Sequence, residues 1–330
     1  LNANSGTLNI TGMTAAGRGL LLNGAILNTT GTVSLFGSST GTGTAADISG
    51  TTTLNANSGT LNITGMAANA TGLLFSGITL NTTGKVALFG NATGTGNATL
   101  FTGTTTLNAN SGTLNITGTT ANGTGLLFSG ITLNTTGNVA LFGNATGTGN
   151  ATLFVGTDNL YTSATTTIGG NNVAGGTAIA INGTINATDL SLLSLGGNIT
   201  ESGLGVLNVT GITTLNAANG SIVLANTSNI LTGNISILNA NSAQITTAGA
   251  MQAGNMNATG TVNLTTVTGN LTLNGNITTS GGNILLTADA LGMVASTSIL
   301  NGNVTGGDVL VGSSRALTAG SNMTVVIYSG

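Results

Sequence analysis

Acid–base chemistry needs two titratable groups held together, and this sequence offers few. Its carboxylates are Asp47, Asp158, Asp189, Glu201, Asp289 and Asp308, and its cations are Arg18, Lys85 and Arg315. They are scattered singly, so no local pattern supports a carboxylate pair acting as general acid and base. The chain has no His and no Cys. Zinc, haem and iron–sulfur sites therefore lack their usual ligands, and His- or Cys-based nucleophilic catalysis lacks its reacting groups. Three cations in 330 residues are too few to displace counterions from a phosphate backbone. The sequence predicts no enzyme, no catalytic residue, no cofactor, no metal and no nucleic-acid partner.

Two residue types remain that carry chemistry of another kind. There are about 25 Asn-x-Ser/Thr triplets, Asn9, Asn28, Asn62, Asn81, Asn115, Asn198 and Asn276 among them. One reading is glycosylation, which would keep a nearly uncharged surface soluble. The other is strand alternation. In Leu61-Asn62-Ile63-Thr64 the apolar pair faces one way and the polar pair the other, which writes the triplet without any sugar. Triplets in polar turn stretches are the better carriers: Asn91 and Asn97, with their repeats Asn144 and Asn150. The second type is Phe. If Lys85 faces out in Lys85-Val86-Ala87-Leu88-Phe89, period two puts Phe89 outside as well, and Phe36 and Phe142 hold equivalent places. These three form a lateral-contact stripe, unless the chain bends at the following Gly and tucks each ring into the core.

The elements that position these residues follow from repetition. TLNANSGTLNITG occurs at 53–65 and again at 106–118, and all but its first residue opens the chain. Residues 54–106 and 107–159 differ at only seven positions. Each unit halves into 26-residue segments, 52–77 and 78–103. Self-similarity at a fixed period marks a repeat architecture. Alternating runs such as Thr60–Thr64, closed by Gly, are strands rather than helices. About three short strands per coil of 20–27 residues predict an all-β, right-handed parallel β-helix, a solenoid whose coils stack at about 4.8 Å. Phe75, Phe101, Phe128 and Phe154, spaced by 26, 27 and 26, should stack in its core. We assign 1–159 to three near-identical double-coil repeats and 160–330 to a degenerate continuation. No apolar run approaches the roughly 20 residues of a spanning helix.

Other features have plain readings. The Thr runs 51–53, 104–106 and 165–167 suggest the flat arrays of ice-binding solenoids, but Gly77-Ile78-Thr79 in the intervening coil is expected to break the lattice. The Gly-Gly pairs, 169–170 among them, read as turns, since a calcium-binding β-roll needs an Asp in every short repeat.

The segment GNITTSGGNILLTADA (275–290) resembles the haemagglutinin-type repeats of filamentous, two-partner-secreted bacterial adhesins. The LNA–G–LNITG phrase and the Thr/Asn/Gly richness are similar in style. That family's secretion domain carries Asn-Pro-Asn motifs, and this chain has no Pro. The resemblance implies an extracellular rod on a bacterial outer surface, a piece of a longer repeat protein, mediating adhesion or matrix formation. Its partners are other copies of itself or cell-surface and matrix molecules. The alternatives are a self-assembling sheath or surface-layer filament and, behind it, an ice-binding solenoid.

Overall fold

The computed structural model describes residues 1–163, 166–290, 307–312, 314–319 and 323–328. Among these there is no helix. The strands form three parallel sheets of 10, 15 and 13 strands, the walls of a β-solenoid.

The repeated thirteen residues make two walls and the corner between them. Thr53–Ala56 is a strand of the first sheet and Thr60–Ala67 a strand of the second. The corner turns on Ser58, whose φ of 56° is left-handed. Ser5 and Ser111 take the same conformation one double coil to either side. The corner is fastened to the next coil by the Ser58 amide, which donates to Thr83 Oγ1 at 3.0 Å. Leu73–Ser76 then forms the third wall. One coil later the same grammar gives Thr79–Thr82, Lys85–Ala92 and Thr99–Thr102.

Alternation decides what is buried. Leu54, Leu61, Ile63, Leu73 and Phe75 all point inward and are at most 1% exposed. Stacking places like on like. Leu54 lies beside Leu80, Leu80 beside Leu107, and Leu107 beside Leu133. Phe75, Phe101, Phe128 and Phe154 form a stacked column with centroids 4.9, 5.2 and 5.0 Å apart. Each buried Leu or Phe contributes roughly 1.5–3 kcal/mol, and each aromatic pair about 0.5–1.5 kcal/mol more. A chain with 3% charged residues therefore holds together without ion-pair networks. Gly90 lies mid-strand on the inner side, where a Cβ would run into the Ala98 carbonyl and Thr99 Oγ1. Only Gly lets the second wall pass that close to the chain entering the third.

The coils change past the near-identical repeats. The last strand of the first sheet is Ile230–Leu231. Ala243 then pairs with Val262 and Val262 with Ile284, coils of 19 and 22 residues. A coil that short has no residues left for a separate first wall. Met251–Ala258 spans the gap and pairs with two short strands, Leu271–Leu273 and Ile277–Thr279. The Gly169-Gly170 pair, expected as a turn, lies inside the strand Thr166–Asn172. It aligns with Phe142-Gly143 of the coil before, and the stacking ladder overrides the local preference of Gly for turns.

Candidate functional surfaces

The outer side of the first sheet carries two ranks of polar residues. In one rank, asparagine amides join coil to coil. Asn28 Nδ2 donates to Asn2 Oδ1 at 3.0 Å, Asn55 to Asn28 at 2.7 Å, and Asn81 to Asn55 at 2.8 Å. Asn108 and Asn134 extend the run at 2.7 and 2.9 Å. Tyr161 ends it, pairing in register with Asn134. The ladder resumes one residue pair over, from Asn159 to Asn186 to Asn208. The triplets beginning at Asn28, Asn81 and Asn134 are thus explained by this ladder without a sugar. In the other rank Thr53, Thr79, Thr106 and Thr132 stand in register. Thr79 keeps its place in this rank, but Gly77 and buried Ile78 precede it where Thr51-Thr52 and Thr104-Thr105 precede its neighbours, so the expected break falls at those two places. Thr165 of the third run lies outside the described residues. The Thr rank is single, since its neighbour rank is Asn.

The second sheet places Phe36, Phe89 and Phe142 on its outer side. The strand runs straight through Gly90 from Lys85 to Ala92, with Lys85, Ala87 and Phe89 out and Val86 and Leu88 in. Phe89 is 36% exposed, while Phe36 and Phe142 are half-buried. In this column Phe alternates with Thr: Thr11, Phe36, Thr64, Phe89, Thr117, Phe142. The ring of Phe142 lies over Gly169 of the next coil, where any Cβ would strike it.

Asn91 and Asn144 sit near the end of second-sheet strands, and Asn97 and Asn150 in the turn that follows. All four are half-buried. Asn97 Oδ1 accepts the Thr124 amide at 3.1 Å, and Asn144 Oδ1 accepts from Asn171 at 3.3 Å. Thr99 and Thr152, the third residues of the Asn97 and Asn150 triplets, are fully buried with hydroxyls bonded to backbone carbonyls. Thr93 and Thr146, which close the Asn91 and Asn144 triplets, are exposed. Of the four, the Asn91 amide alone makes no side-chain hydrogen bond among the described residues together with an exposed Thr.

The acids do structural work. Asp47 is buried and bonded at 2.7 Å by Arg18, whose side chain is 58% exposed and covers it. Asp158 occupies the corner place that Thr52 and Thr105 hold in the two preceding double coils. Thr105 Oγ1 donates to the Thr102 carbonyl at 2.8 Å. Asp158 instead accepts the Ile131 amide at 2.9 Å, and its second oxygen is buried without a partner. Burial lifts its pKa from 3.8 to about 6 against the pull of the Ile131 and Gly130 amides. Glu201 continues the inward rank of Phe154 and Ile181. Desolvation raises its pKa, opposed by bonds from the Asn226 amide and the Asn229 side chain, both at 2.9 Å. Among the described residues no three His, Cys, Asp or Glu converge as a metal site, and no helix is long and apolar enough to cross a membrane.

Alignment at 53 residues could have flagged Asp158 as the odd member of a Thr position. The recurring Thr-Leu-Asn at 53, 79, 106 and 132 was the signal for the asparagine ladder. Comparison with family models, with curated proteins and with solved structures gave no match. The chain is a parallel β-solenoid repeat protein on its own geometry.

Proposed function

We propose that the chain is a structural, non-catalytic rod on the outside of a microbial cell, a bacterial outer surface by preference. In this reading it is a fragment of a longer repeat protein that extends from the cell and mediates adhesion or matrix formation. The observation that carries it is the continuous strand order of the third sheet, which passes through one register shift at Thr177–Ile179 without interruption. Thirteen strands at about 4.8 Å each give a rod of about 60 Å. Its outer faces carry amides, hydroxyls, scattered aliphatic side chains and a few aromatic rings, so in this reading function lies in length and surface rather than in a catalytic cleft. The test is antibody labelling of intact cells, combined with an attachment assay on a strain lacking the chain. The reading expects surface label and reduced attachment. Label seen only after the cells are broken open contradicts it.

A self-assembling sheath is the second reading. The observation favouring it is an outward rank on the third sheet, where Leu74, Leu100, Leu127 and Leu153 stand in register, each half-buried. Sedimentation of the purified chain separates the two, since a sheath protein grows with concentration and an isolated rod does not.

A further inference from the structure

The asparagines of the first and second sheets are spent differently. On the first sheet an Asn stands in every coil from Asn2 to Asn134, and each amide consumes its neighbour's hydrogen-bonding capacity. On the second sheet Asn9, Asn62 and Asn115 occur in alternate coils, separated by Ser34 and Ala87. Two coils are about 9.6 Å, too far for one amide to reach the next. Among the described residues none of the three makes a side-chain hydrogen bond, and Asn9 and Asn115 are exposed. Beside Asn115 a depression of about 400 Å³ opens between Asn138, Ala140 and Thr167. Phe36, Phe89 and Phe142 fill the column two residues further along, in the coils that lack the Asn. Positions one strand over and two residues along lie about 8 Å apart, within reach of one bridging group.

We infer that this strip binds an extended, neutral, β-linked polysaccharide lying parallel to the rod axis. The inference rests on the adhesive-rod reading and names its ligand. A pyranose ring has an apolar face suited to an aromatic platform and an equatorial rim of hydroxyls suited to amides. The strip offers both at a repeat of two coils, about 9.6 Å, which is close to the length of one disaccharide in an extended β-linked chain. The only charged side chain on these strands is Lys85. A polyanion would find no matching row of cations, whereas a neutral polymer needs none. The pattern ends past Phe142, where Gly169 takes the next Thr place and Leu193 the next aromatic place, so three platforms match three disaccharides.

The experiment is calorimetric titration of the whole chain, made in a host without N-glycosylation. The probes are soluble β-1,4-linked glucose and N-acetylglucosamine oligosaccharides of two to eight residues, with an α-1,4-linked hexasaccharide as control. Affinity should rise with length and level off near six residues, and the α-linked control should not bind. Each Phe→Ala change at 36, 89 or 142 should weaken hexasaccharide binding on the order of threefold to tenfold, and Phe89→Trp should strengthen it while keeping the fold. Absence of binding at every length overturns the inference, as does binding that the Phe variants leave unchanged. If those variants instead dissolve an oligomer without altering sugar binding, the strip belongs to a second copy and the inference also falls. Failure here with surface label and attachment intact removes the ligand but leaves the rod. Binding in vitro without surface label removes the rod reading alone.

Discussion

Asn81 Nδ2 donates to Asn55 Oδ1 across 2.8 Å, joining two coils through side chains 26 residues apart. Asn108 repeats the contact on Asn81 from the other side at 2.7 Å, so one side chain serves two bonds.

Replacing Asn81 by Asp removes the donor and sets a carboxylate against the Asn55 oxygen. The change should lower unfolding stability by about 1–3 kcal/mol, more than the same change at exposed Asn115, which has no side-chain bond among the described residues. Urea unfolding of the two variants side by side makes the comparison.

Asp158 should make the rod more stable in mild acid than at neutral pH. Its folded pKa, about 6, lies above the ordinary 3.8. The native state therefore holds the proton more tightly than the unfolded chain, and this contribution is full below about 3.8 and lost as pH rises through about 6. The raised pKa of Glu201 acts in the same direction. Asp158→Thr restores the residue found at 52 and 105. At pH 7 it should gain up to about 3 kcal/mol, the equivalent of a shift from 3.8 to about 6. At pH 4 the gain should shrink sharply. Thermal unfolding of both proteins between pH 4 and 7 reads this out.

Phe101 sits between Phe75 and Phe128 in the aromatic column. Phe101→Ala should cost about 3–5 kcal/mol. Phe89→Ala, on the outer side of the same coil, should stay within about 1 kcal/mol. Chemical denaturation of the pair distinguishes an inward from an outward ring.

Much of the inner architecture was legible because the core obeys spacing alone. The intervals of 26, 27 and 26 between Phe75 and Phe154 name the stacked column directly, and Thr60–Thr64 alternates as a wall must. What was illegible depends on whether the chain continues or bends at Gly. Nothing in Phe89-Gly90 says that the strand runs on to Ala92. The orientation of the three outer Phe is settled only by the close pass of Gly90 against Ala98. The asparagine ladder escaped notice for a different reason. Asn-x-Thr also writes a glycosylation triplet, and only stacking reveals that Asn28, Asn81 and Asn134 have each other as partners. Asp158 was visible as a lone acid, but its burial follows from a corner geometry that no linear pattern encodes.

The register of the coils is the central claim, and the chain's lack of cysteine makes it directly testable. Asn55 and Asn81 are neighbours on adjacent strands of the first sheet, about 4.8 Å apart and within disulfide reach. Asn55 and Asn108 are two coils apart, about 9.6 Å, beyond the roughly 7 Å limit. Under mild oxidation, the Asn55→Cys, Asn81→Cys pair should close an intramolecular disulfide and the Asn55→Cys, Asn108→Cys pair should not. Closure of the second pair in preference to the first would contradict a stack of 26–27-residue coils.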